Sequence, residues 1–188
     1  MPKKRLIIFE GIAGSGKTTL EKLLADRLTD ACIIAEAETL MPLIDNKDAA
    51  IAKTHLLKLL DDLTSKQEPV LIVDRFHFTH AFRTASPFAL FLSMEKLLET
   101  SFDPLLILLS FNEKLISERL QETIARRGNA WAKGKKGALE ERVIYYRNQQ
   151  RRLAELFKES TLPKIHIDTS DKDWERCLAT IVCGLTVK

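Results

Sequence analysis

Short, unbroken apolar runs separated by longer amphipathic stretches set the rhythm of this chain. Leu6–Phe9, Cys32–Ala35, Val70–Val73, Leu105–Leu109 and Ile165–Ile167 lack the in-out alternation of a half-solvated strand, so they read as strands buried on both faces. Lys17 to Thr29 places Leu20, Leu23, Leu24 and Leu28 on one helical face, and Asn46 to Ser65 does the same with Ile51, His55, Leu56, Leu59, Leu60 and Leu63. Strands alternating with helices predict a five-stranded parallel α/β sheet covered by helices on both faces. Pro69, Pro104 and Pro163 stand just ahead of strands three, four and five, where a missing N–H least disturbs the ladder. His55 lies inside a helical stripe without a suitably spaced partner ligand and reads as a packed or hydrogen-bonded histidine.

The first strand runs into Gly11-Ile12-Ala13-Gly14-Ser15-Gly16-Lys17-Thr18, a complete GxxxxGK[ST] loop followed by a helical pattern. Glycines at 11, 14 and 16 let backbone N–H groups turn inward around phosphate oxygens, and the helix starting near Lys17 aims its positive end at the same anion. The expectation is a nucleoside triphosphate site in which Lys17 reaches the β- and γ-phosphates, Thr18 offers a hydroxyl to Mg²⁺ and Thr19 bonds the α-phosphate. Strand, loop and helix in this order predict a three-layer P-loop NTPase fold.

Composition narrows the setting. The 188 residues suit one domain, and no linker or repeat divides them. A formal charge of +3 gives no reason to expect a nucleic-acid partner. Cys32, Cys177 and Cys183 are odd in number and lack metal-like spacing, which suits reduced thiols and a cytosolic setting. The basic start Lys3-Lys4-Arg5 leads into too short an apolar run for a signal peptide or a membrane span.

Phosphoryl transfer needs cations converging on the transferred group. Asp74 closes the third strand, where a carboxylate holds Mg²⁺ directly or through water, and Arg75 next to it can clamp an acceptor bidentately. Glu36 ends the second strand and is placed to accept a proton from an attacking hydroxyl, with Glu38 as a competitor. Glu10 is expected to brace the loop backbone. Arg119, Arg126 and Arg127, then Lys133, Lys135 and Lys136, then Arg142 and Arg147, form a basic set around a glycine-bearing stretch, which reads as a mobile lid at about 126–138. Five of the nine phenylalanines, at 76, 78, 82, 88 and 91, surround Arg83 on a helix that either walls an acceptor pocket or belongs to the core. His77 and His80 have no third ligand in view and read as pocket-rim or surface residues.

With these residues assembled, the chain resembles the thymidylate kinase and deoxynucleoside kinase branch of the P-loop kinases. The resemblance rests on Phe9-Glu10-Gly11 running into Gly14-Ser15-Gly16-Lys17-Thr18-Thr19, on Asp74-Arg75-Phe76, on Asp103-Pro104, on Arg119-Leu120 and Arg126-Arg127-Gly128, on Leu139 to Val143 with Tyr146, and on Ile167-Asp168-Thr169-Ser170. It implies ATP as donor, Mg²⁺, and a nucleoside or nucleoside monophosphate as acceptor. By that likeness Arg75 holds the acceptor near its 5′ end, Glu36 is the base, Arg119 lies by adenine, and the loop holding Thr169 lies beside it. Ala13 replaces the loop Asp usual in thymidylate kinases, and no Pro-Gly-Gly turn follows Glu36. The family's aromatic-Gln pair appears as Phe82-Arg83, one residue short. Three readings therefore stay open: transfer to a nucleoside or nucleotide, transfer to another small-molecule or polynucleotide hydroxyl, and a nucleotide-dependent switch ATPase. Pairing into a homodimer through helices is a further expectation by analogy.

Overall fold

The computed structural model describes residues 3–128 and 138–186. Strands β1 (Lys4–Glu10), β2 (Ala31–Ile34), β3 (Val70–Asp74), β4 (Phe102–Ser110) and β5 (Lys164–Asp168) form one sheet in the order β2-β3-β1-β4-β5. Every neighbouring pair is parallel. The helices are α1 (Lys17–Arg27), α2 (Glu36–Thr39), α3 (Ala49–Ser65), α4 (His77–Arg83), α5 (Leu92–Ser101), α6 (Ile116–Arg127), α7 (Leu139–Glu159) and α8 (Trp174–Thr186).

The central strand explains the unbroken apolar runs. Successive side chains of a strand point to opposite faces, so Leu6 and Ile8 enter the core built with α3 to α7, while Ile7 and Phe9 enter the core built with α1 and α8. All four are fully buried, and each contributes roughly 1.5–3 kcal/mol by leaving water. From β1 the chain builds one side of the sheet through β2 and β3, then the other through β4 and β5. That reversal beside β1 opens a crevice at the carboxyl ends of the strands. Among the described residues, no helix is long and apolar enough to cross a membrane.

Several expectations are corrected. Pro104 lies within β4, opposite Leu6, and not ahead of it. It is tolerated because β4 pairs with β5 only from Leu106 onward, so at 104 that side of the strand has no ladder to lose. Helix α3 starts at Ala49, because the Asp48 side chain accepts from Ala50 N and Ile51 N and fixes the first turn there. Ile51 is exposed, off the buried stripe. The Phe-rich segment is not one helix: α4 stops at Arg83, Ala85 turns with φ 50° and Pro87 follows, before α5 begins. Helix α6 runs through Arg127 and stops at Gly128, φ 79°, while residues 129–137 of the expected lid, with Lys133, Lys135 and Lys136, lie outside the described residues.

Candidate functional site

The loop after β1 turns back on itself through glycines with positive φ. Gly16, at φ 89°, is the N-cap of α1, and a Cβ built there would sit 2.4 Å from the Trp174 ring. Only glycine lets the loop pass beneath that indole. The α1 N-terminus therefore faces a cavity of about 280 Å³. Ala13, Gly14, Ser15, Gly16, Lys17, Thr18 and Thr19 line the cavity on one side; Glu36, Asp74 and Arg75 line it on another, and Arg119, Arg126 and Arg127 complete it. Gly11 and Thr169 stand behind this surface, and Phe82 and Arg83 lie outside it.

Lys17 is buried, with Nζ donating to Gly11 O at 3.0 Å and Ile12 O at 3.3 Å and standing 3.9 Å from Asp74 Oδ1. Arg75 takes the left-handed conformation, φ 68°, a cost of order 1–3 kcal/mol for a non-glycine residue. Its N–H donates to Phe9 O at 2.9 Å and its Nη1 to Gly11 O at 2.9 Å. Its Nε lies 3.1 Å from Glu36 Oε1 as an ion pair. Glu36 is the first residue of α2 and not the end of β2, because β2 stops pairing at Ile34 and Ala35 is already the helix cap.

No protein-family model matches the sequence, and no curated protein matches it. Solved structures do. The YorR protein of Bacillus subtilis, in complex with phosphorylated GDP, superposes with a TM-score of 0.68 at 17% identity over 96% of this chain and 95% of that one. The fold is that of the P-loop kinases. A shikimate kinase from Bacteroides thetaiotaomicron matches with a TM-score of 0.58 at 14% identity, over 98% and 99% of the two chains. Deoxyadenosine kinase from M. mycoides, with products dCMP and dCDP, gives 0.57 at 15% identity over 96% and 98%.

Within this P-loop kinase fold, several side chains differ from their expected roles. Glu10 does not brace the phosphate loop. Its Oε1 accepts from the N–H groups of Phe76, Phe78 and Thr79, and its Oε2 from the Thr79 hydroxyl, so it caps α4 from the end of β1. His77 and His80 are fully buried and not on a rim: His77 Nε2 lies 3.0 Å from Glu95 Oε1, and His80 Nε2 lies 3.0 Å from Thr39 O. His55 is half-buried and bonds the same Thr39 carbonyl, in keeping with a hydrogen-bonded histidine. Phe76, Phe78, Phe88 and Phe91 are core, and Phe82 meets the Tyr145 ring edge-on. Arg83 Nη2 donates to Ile44 O. Arg119 donates to Gly14 O, Thr169 O and Ser170 O and lies 4.8 Å over the Phe111 ring, tying the loop to the segment after β5. The Thr169 hydroxyl donates to Ser15 O and Ser110 O, which places it as a brace behind the cradle.

The electrostatics concentrate where these groups meet. Burial, and then the Arg75 guanidinium, pull Lys17 below the ordinary lysine range, against Asp74, Glu36 and Glu21. Burial opposes the Arg75 charge, but Glu36, Asp74 and Glu10 outweigh it and raise its pKa. Burial pushes the Tyr146 phenol up to about 12. Glu21, one turn past Lys17, is pushed up to about 8 by burial and then by the Asp74 charge, which keeps it protonated at neutral pH. Asp74 Oδ1 is buried and accepts no hydrogen bond among the described residues. A divalent cation fits there, with the exposed Thr18 hydroxyl as a second oxygen. Mg²⁺ takes one or two protein oxygens and fills its octahedron with water and phosphate, and among the described residues there is no three-residue His/Cys/Asp/Glu cage of the kind zinc uses. Sequence reading passed over Trp174, Glu122, Thr123 and Lys172, which also line the cavity, and it took Tyr146 only as part of a family likeness. No local pattern marks them.

Proposed function

We propose that this chain transfers the γ-phosphoryl group of MgATP to a nucleoside or nucleoside monophosphate. The reading rests on one observation: Lys17 Nζ and Arg75 Nη1 both donate to the Gly11 carbonyl, so the lysine of the cradle and the guanidinium after β3 face one cavity. In this reading Gly14 to Thr19 hold the polyphosphate, Lys17 and the lid arginines Arg126 and Arg127 neutralise charge on the transferred group, and Arg75 orients the acceptor. Asp74 and Thr18 would hold Mg²⁺, which would supply positive charge against the phosphates. The acceptor oxygen forms the new P–O bond as the bond to the bridging oxygen of ADP breaks. Glu36 takes the proton when the acceptor is a hydroxyl, whereas an ionised phosphate acceptor needs no base.

A second reading, transfer to another small-molecule alcohol, draws support from Phe82 and Arg83 lying outside the cavity. Lid closure by the basic stretch at 126–138 belongs to the proposal in either case. Coupled ADP release with nucleosides, nucleoside monophosphates and non-nucleoside alcohols separates the readings. Turnover with nucleosides or their monophosphates is expected. ATP hydrolysis indifferent to every acceptor overturns the transferase assignment.

A further inference from the structure

Thr39 lies far from the cavity lining in role but not in connection. It ends α2, the single turn that begins with Glu36, and its side chain is fully buried. Its hydroxyl donates to Asp74 O at 2.6 Å, across 35 residues of sequence. That carbonyl belongs to the peptide unit whose N–H, on Arg75, donates to Phe9 O. A peptide unit is planar, so fixing both its C=O and its N–H fixes its orientation, and the orientation sets the approach to Arg75. Arg75 holds an unfavourable left-handed φ, which persists only where the surroundings over-determine it. The hydroxyl of Thr39 supplies one of the two hydrogen bonds that fix this peptide unit.

The other side of Thr39 is restrained as well. Its carbonyl, one of those a helix end leaves without an intrahelical partner, meets His80 Nε2 at 3.0 Å and His55 Nε2 at 3.2 Å. The two rings come from α4 and α3, with centroids 6.1 Å apart. One residue thus joins the α2 turn that carries Glu36 to the strained peptide that carries Arg75. We infer that Thr39 is a positioning residue that sets the Arg75–Glu36 pair for the acceptor, held in place by His55 and His80. The inference rests on the reading of Arg75 as the acceptor clamp given above.

The test compares Thr39→Val, which keeps shape and loses the donor, with Thr39→Ser, which keeps the donor. For Thr39→Val the acceptor KM rises about tenfold, the size of one buried hydrogen bond, while the dissociation constant of a fluorescent ATP analogue stays within about twofold. Thr39→Ser restores the acceptor KM. Should Thr39→Val not fold, Thr39→Cys, a weaker donor, takes its place, with a smaller rise in the same parameter. An unchanged acceptor KM, or an equal loss in donor binding, overturns the inference. The Arg75 Nε–H resonance, slow to exchange in the parent and fast in Thr39→Val, reads positioning without turnover. If no acceptor is phosphorylated yet that resonance responds, the transferase reading fails and the positioning role stands; if it does not respond, the positioning role falls too.

Discussion

The two ends of the cavity are built in different ways. The end proposed to take the donor is a contiguous piece of main chain, residues 11–19, whose shape comes from glycine conformations and a helix start. The proposed acceptor end gathers Glu36 and Thr39 from α2, Asp74 and Arg75 from the end of β3 and Tyr146 from α7, and ties α2 to β3 through side-chain hydrogen bonds, an ion pair and a strained φ. A main-chain cradle is specified locally and depends on few side chains. A side-chain clamp is specified by the tertiary fold and fails when one partner is lost.

The sharpest way to break that comparison is at Lys17, the buried cation that the proposed donor end carries within its own segment. Lys17→Ala should lower kcat/KM about 10³-fold or more, the scale of removing a preorganised charge from a phosphoryl-transfer site. Its circular dichroism should be unchanged, since the lysine is a buried cation held against its own desolvation. Wild-type turnover in this variant removes the donor assignment. Next comes Arg75→Lys. An ammonium cannot satisfy Gly11 O and Glu36 together, so acceptor kcat/KM should fall about 10²-fold with donor affinity preserved. Equal losses for donor and acceptor erase the division between the two ends.

The same division explains what was legible in the sequence. The strands were read from residues that are neighbours in the chain, and the structure has them with shifts of a few residues at their ends. The cradle residues were also contiguous, and they share one cavity wall. Glu10 was misread because its partners, Phe76 to Thr79, lie 66 to 69 residues away, and nothing next to Gly11 announces them. His77 and His80 were misread because their partners, Glu95 and Thr39, belong to other helices. Trp174 came too far downstream for its approach to Gly16 to be visible before the sheet brought β5 alongside β4. Pro87 stands inside the Phe-rich stretch, but that stretch was read as one helix without weighing it.

Acid should loosen the acceptor side. Burial holds His80 at about 4, against 6.5 for an ordinary histidine, with His55, Arg83 and His77 also lowering it and its bond to Thr39 raising it. Between pH 6.5 and 4 the unfolded chain binds a proton there that the folded chain does not. Stability from this group is therefore complete above pH 6.5 and declines as pH falls toward 4, by about 2 kcal/mol. Urea melts at pH 7 and pH 4.5 should differ by this amount more in the parent than in His80→Gln. An identical pH slope in the two proteins shows that His80 does not titrate as its burial demands.

The smallest effect is the most discriminating, because Glu10 sits on the border. It directly precedes the phosphate loop, yet all its described hydrogen bonds go to α4 and the residue before it. Glu10→Gln keeps an oxygen for the three N–H groups but loses the charge at the helix start and turns the acceptor of the Thr79 hydroxyl into a donor. The expected cost is about 1 kcal/mol in urea unfolding, with the ATP-analogue dissociation constant unchanged. Its influence on the cavity should run through Arg75, whose charge it helps to balance, so any kinetic change belongs to the acceptor KM. If the variant instead weakens donor binding while stability holds, Glu10 supports the cradle after all. Donor binding would then depend on a carboxylate from outside the segment, beyond the Arg119 and Thr169 side chains that already tie its backbone, and the contrast between a local cradle and a tertiary clamp would fail at its boundary.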